Sequence, residues 1–165
     1  QLEELKAVCF PIILIWILIA LTGIDIDSQL LPDSMTLALL WIGLAVNLFD
    51  TWTSLPSAVM GAMLGYGSLW SVYWVFKLVT GKEGMGYGDF KLLGALGAWF
   101  GWQTVPVMIL LSSFAGALLG ISILLLSRLE RDTPMPFGPY LAGAGLVILF
   151  FGETLMTEYL QRVAL

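Results

Sequence analysis

The chain has 165 residues, 59% of them hydrophobic and 12% charged, with a formal net charge of −5 and no histidine; its mean hydropathy is +0.92. A soluble domain of this size could not hide so much apolar surface, so the composition points to bilayer as solvent. It excludes histidine bases and histidine metal sites; the single Cys9 excludes an internal disulfide and Cys–His nucleophilic chemistry, and the seven scattered basic residues make no phosphate-tracking surface for nucleic acid.

Lipid leaves only helices and closed barrels, and no period-2 alternation suggests a barrel. The expected fold is therefore all-α: one membrane-embedded domain over residues 1–165, a polytopic bundle of about six transmembrane helices. The first apolar segment covers Ala7 to Ile24, with Cys9 as a small core or lipid-facing residue, and the second covers Met35 to Phe49. Between them, Pro32-Asp33-Ser34 reads as a helix start with Asp33 or Ser34 as cap. The third segment covers Pro56 to Val79; the fourth, Phe90 to Trp102, is short and is expected to sit in lipid, either as a span made with help from its neighbours, the preferred reading, or as a re-entrant element. The fifth covers Val105 to Ser127 and the sixth Tyr140 to Tyr159.

With six spans, Lys77, Lys82, Lys91, Arg128 and Arg131 lie in or beside loops of one face, against Lys6 and Arg162 on the other. The positive-inside rule makes the first face cytoplasmic. Small residues recur at helix-packing spacing in Gly61 with Gly65, Gly94 with Gly97 and Gly101, and Gly116 with Gly120. The tryptophans fall mostly near helix ends or on bundle faces, and interfacial anchoring is the expected role.

Chemistry has to come from carboxylates. Asp25 follows the first segment directly and Asp89 precedes the fourth, so both lie at one membrane depth on the cytoplasmic face. Ionisable side chains at such depth are costly and are functional candidates by default. Two adjacent carboxyls cannot both ionise cheaply: one keeps its proton, and the pair can activate a water held between them. Gly86-Tyr87-Gly88-Asp89 puts backbone without side-chain bulk beside the second acid, where an extended peptide could approach Gly86 and Gly88. Asp27 reads first as surface charge and second as a contact for a basic substrate segment. A different class of reading, a small transporter or channel with the carboxylate pair as ion site, would draw on Glu153 inside the sixth segment.

The stretches "IDIDSQLLPD" (from Ile24), "LVTGKEGMGYGDFKLLGALGAWFGW" (from Leu78) and "PMPFGPYLAGAG" (Pro134 to Gly145), in this order and spacing, resemble the type IV prepilin leader peptidases, the integral-membrane GxGD aspartic peptidases. A presenilin-like intramembrane GxGD peptidase shares the GxGD but not the LPD stretch. The resemblance implies Asp25 and Asp89 as the catalytic pair. It implies cleavage of the short basic leader of type IV prepilins and type II secretion pseudopilins, in the bacterial inner membrane and on the cytoplasmic side. No metal and no cofactor are implied for proteolysis. Many family members also N-methylate the new N-terminus, with S-adenosylmethionine as donor. The family's further N-terminal helix and its cytoplasmic domain with Cys pairs find no counterpart here. The expectation is that this chain is the C-terminal catalytic part of a longer enzyme, with methylation linked to the other part.

Overall fold

The computed structural model describes residues 2–126 and 136–163, and every regular element among these is helical. Six long helices run in chain order: α1 (Leu2–Ser28), α2 (Asp33–Asn47), α3 (Leu55–Thr80), α4 (Tyr87–Phe100), α5 (Val105–Leu126) and α6 (Gly138–Val163), with a 3-10 turn at Trp102–Thr104 between α4 and α5. Each expected segment coincides with one of them. Among the described residues three helices are long and apolar enough to cross a membrane, over Val8–Ser28, Trp102–Ser122 and Gly138–Leu155. A helix of 15 residues such as α2 rises only about 22 Å, short of a hydrocarbon core of about 30 Å. Arg128 and Arg131 lie outside the described residues, as do the side chains of Lys6 and Arg162.

The first helix does not stop at Ile24. Nothing in Ile24-Asp25-Ile26-Asp27-Ser28 breaks a helix, and α1 continues until Gln29 takes a left-handed φ of 55° with its N–H on the Asp25 carbonyl. Pro32 then forces an extended backbone before α2 starts at Asp33. Asp33 is thus the first helical residue, with Pro32 at the cap position and no capping side chain. Its carboxylate instead pairs with Lys91 of α4.

The fourth helix, expected in lipid, lies inside the bundle. Every residue from Leu92 to Phe100 is buried, and α4 packs against α3, α2, α6 and α5. A helix that is apolar on all sides belongs in an interior, and here the interior is protein. The α3–α4 contact is glycine on glycine: a Cβ on Gly97 would stand 2.1 Å from the Gly61 carbonyl oxygen, and one on Gly65 would stand 2.6 Å from that of Leu93. On the other side of α4, Trp99 is fully buried over Gly43 and donates its indole N–H to the Leu39 carbonyl at 2.9 Å. The expected interfacial role therefore fails for Trp99, because its N–H finds a backbone partner inside. Trp16 and Trp41 are well exposed.

The end of α4 away from its acid is held by one side chain. Asn47 is fully buried. Its amide nitrogen donates to the carbonyls of Ala98 (2.8 Å) and Trp99 (2.9 Å). Its oxygen accepts the N–H groups of Trp52 (3.1 Å) and Thr53 (3.1 Å). Both donors and both acceptor sites are used. Asn47→Ala is expected to cost about 3 kcal/mol, since it orphans the Ala98 and Trp99 carbonyls inside the bundle. Unfolding of the variant in detergent micelles measures this, and a melting curve superimposable on the wild type would refute the clamp.

Candidate active site

The acid end of the bundle gathers the α1–α2 connection, the α3–α4 loop and the start of α6. Asp25 occupies the last turn of α1 and is 4% exposed; Asp89 occupies the first turn of α4 and is 5% exposed. They are the two buried carboxylates among the described residues. Gly88, next to Asp89, sits against Leu31 of the α1–α2 connection, six residues past Asp25, so the fold places both acids at one end of the bundle. Two acids separated in sequence by the whole of α2 and α3 thus lie at the same end of the bundle.

Each acid has a local reason for its place. The α4 helix begins after Gly86, whose carbonyl accepts the Asp89 N–H at 3.3 Å. Asp89 is then the third helical residue, where a carboxylate faces the free amides of the first turn, that of Gly86 included. Asp25 is at the less favourable, C-terminal end of its helix. Its compensation comes from far along the chain: the Gly138 N–H, at the start of α6, donates to Asp25 Oδ2 at 3.0 Å. Gly138 had no role in the sequence reading. The signal it did carry was its place in the Pro134 to Gly145 stretch of the family resemblance, which names no partner for it.

The two glycines before Asp89 differ. A Cβ at Gly86 would meet nothing closer than Asp89 Oδ2 at 3.9 Å, so its exposed backbone is open to an approaching chain. At Gly88 a Cβ would lie 2.6 Å from the Leu31 Cβ, so that bare Cα already seats the α1–α2 connection. Asp27 is exposed, two positions past Asp25 and so on another face of the last α1 turn. Glu153 is exposed on α6 and does not line the bundle interior. Among the described residues no cluster of His, Cys, Asp or Glu could hold a metal ion.

The loop ahead of Asp89 is tied to α3. Lys77 donates to Glu83 at 3.0 Å and to the Tyr73 hydroxyl at 3.2 Å. Beside that ammonium, the Glu83 carboxyl is held below the usual carboxylate range. Tyr87, inside the Gly86–Asp89 motif, donates to Tyr73 at 3.4 Å, and its ring packs on Tyr73 and Phe90 with centroids 5.2 Å and 5.5 Å away. Lys91, two residues past Asp89, is taken up by Asp33 rather than left facing the acids. The arrangement is a buried carboxyl pair, one oxygen pinned by a backbone amide, with an open glycine beside it.

Residues 12–121 match the Type IV leader peptidase family, a span that includes both acids and ends before Gly138. The chain is 59% identical over 150 residues to a prepilin leader peptidase/N-methyltransferase of Stutzerimonas stutzeri, covering 91% of this chain and 52% of that protein. It is 58% identical over 151 residues to the protein of the same description from Aeromonas hydrophila, covering 92% and 52%. For that of Pseudomonas aeruginosa the figures are 58% over 150 residues, 91% and 52%. The chain thus spans about half the length of the curated relatives it matches. No solved structure matches.

Proposed function

Because the chain belongs to the type IV leader peptidase family, we propose that it is the aspartic peptidase unit that removes the short basic leader from type IV prepilins and type II secretion pseudopilins. What supports this reading is that Asp25 and Asp89, the two buried carboxylates among the described residues, lie at one end of the bundle and inside the matched region. The ionised carboxyl takes a proton from a water between them, and the water oxygen bonds to the scissile carbonyl carbon. The protonated carboxyl donates to the carbonyl oxygen as it gains charge. The tetrahedral intermediate collapses as the C–N bond breaks and the amine leaves with a proton from the pair. Neither metal nor cofactor enters these steps.

The substrate reaches the pair along the open backbone at Gly86, with its apolar helix in the surrounding lipid. Lys77, Lys82 and Lys91 lie at the dyad's end of the bundle, which supports a cytoplasmic-facing site in the bacterial inner membrane. The methyl transfer named for the relatives, with S-adenosylmethionine as donor, we assign to the remainder of the full-length enzyme.

The test is incubation of the purified full chain in detergent with a purified prepilin, reading leader removal by mass. No leader removal by folded protein would reject the proposal, and ion flux through proteoliposomes under the same conditions would favour a transporter. Asp27 contributes charge at a distance. Asp27→Asn is expected to raise KM for a basic leader about twofold at low salt and to leave it unchanged at high salt, since exposed charges are screened. Equal KM values at low salt would remove that role.

A further inference from the structure

We propose that Gly138 is a positioning residue for Asp25: its backbone N–H holds Oδ2 in place, and its lack of a side chain is what lets α6 come close enough to do so. This rests on the peptidase reading of the acid pair, and it adds a third residue that lies outside the family-matched region.

Two reasons could put glycine at a helix start, and the structure separates them. One is backbone conformation. The glycines with a left-handed φ are Gly81 and Gly101, and Gly138 is not among them, so another residue could adopt its backbone angles. The other is close approach. A Cβ on Gly138 would stand 2.6 Å from Asp25 Oδ2, 3.0 Å from Cγ and 3.4 Å from Cβ. A Cβ does not approach another heavy atom to within 3.0 Å, so either the carboxyl turns off the N–H or α6 backs away.

Backing away is opposed by its neighbours. Phe137 and Tyr140 both lie against Gly116 of α5, and the Phe137 carbonyl takes the N–H groups of Tyr140 and Leu141. Turning the carboxyl is the easier relief in the Gly138→Ala protein, and it reorients the group that must face Asp89 and the water. With Oδ2 committed to α6, Oδ1 is the oxygen left for that work. The N–H of a first helical residue has no partner within its own helix, so Asp25 satisfies both ends of the contact. A carboxylate in the last turn of α1 also gains from the positive end of α6.

The experiment compares the full chain in detergent as wild type, Gly138→Ala, Gly143→Ala, Asp25→Ala and the Asp25→Ala/Gly138→Ala double variant. Prepilin cleavage gives kcat and KM, and tryptophan fluorescence gives the melting transition. Gly143 is the control on the same helix, where a Cβ would meet nothing within 4 Å. For Gly138→Ala, kcat should fall about 100-fold, the size expected of a small misplacement of a catalytic group, with KM within about twofold of wild type. Gly143→Ala should match the wild type.

A folded Gly138→Ala with wild-type kcat overturns the inference, and so does a loss seen only in KM. If Gly138→Ala fails to fold, the double variant decides, because Asp25→Ala removes the atoms that the new methyl strikes. A restored melting transition supports the contact, and continued failure to fold overturns it. Wild-type protein that does not cleave at all rejects the peptidase reading and this role with it. A cleaving wild type beside an equally active Gly138→Ala rejects only the role.

Discussion

Asp25→Asn and Asp89→Asn are each expected to abolish prepilin cleavage, a loss of about 10⁴-fold or more, while the bundle stays folded. An amide keeps the shape of the carboxyl and loses its ionisable proton. The pair needs one base and one acid, and neither amide can supply the missing half. The two losses should not add, because the double variant removes a unit that either single change has already disabled. Folding should survive for structural reasons. In Asp25→Asn the new amide retains an oxygen for the Gly138 N–H, which bonds Asp25 Oδ2 in the wild type. The wild-type pair already shares a proton, so an amide in place of one carboxyl leaves the net charge of the site near that of the wild type, and the melting temperature should hold. The wild-type rate should follow a bell-shaped pH profile whose two apparent values belong to the pair. Cleavage assays on variants with verified melting transitions test all of this. Near wild-type turnover in either folded variant would rule out the dyad, and Asp89 would become a plain first-turn acid of α4.

The largest structural effect is expected at the α3–α4 crossing. A methyl on Gly97 would lie 2.1 Å from the Gly61 carbonyl oxygen and 2.5 Å from its carbon; one on Gly61 would lie 2.2 Å from the Gly97 oxygen. The obstacle is backbone in both directions, so no rotamer change relieves it. The helices have to separate, and the Gly65–Leu93 contact one turn along, where a Cβ on Gly65 would stand 2.6 Å from the Leu93 oxygen, opens with them. Gly97→Ala should therefore cost about 3 kcal/mol or more, the upper range for overpacking a well-filled interior. Because Asp89 rides on the same helix, activity should fall with it. Gly67 gives the contrast: nothing lies within 4 Å of its Cβ direction, and Gly67→Ala should be neutral or stabilise by up to about 1 kcal/mol through helix propensity. Thermal melting of both variants in one detergent is the measurement. A Gly97→Ala protein as stable as the wild type would mean that the two helices do not touch here.

These two expectations differ in how far the residues alone announce them. The GxGD and LPD stretches point to both acids, and the spacing of Gly61, Gly65, Gly94 and Gly97 marks them as packing glycines. Which glycine meets which, and that α4 rather than lipid covers the α3 stripe, follows only from the fold.

What the chain's own order of residues determines is local. Runs of apolar residues set off by Pro, Gly and charged stretches delimit six helices, because helix formation and membrane partition depend on composition within one or two turns. The same locality explains the places where the reading stopped short. Asp25 sits inside α1 and not after it, since helix ends depend on caps as well as on hydropathy. Asp33 looks like a cap and is an ion-pair partner, because Lys91 arrives from another helix. Asn47 looks like a lone polar residue among apolar ones, and its four partners come from a turn and from the far end of α4. Gly138 reaches Asp25 across 113 positions. A buried donor or acceptor must find a partner, but nothing local states which one, so the tertiary packing of α4 and α6 decided how the acids are held.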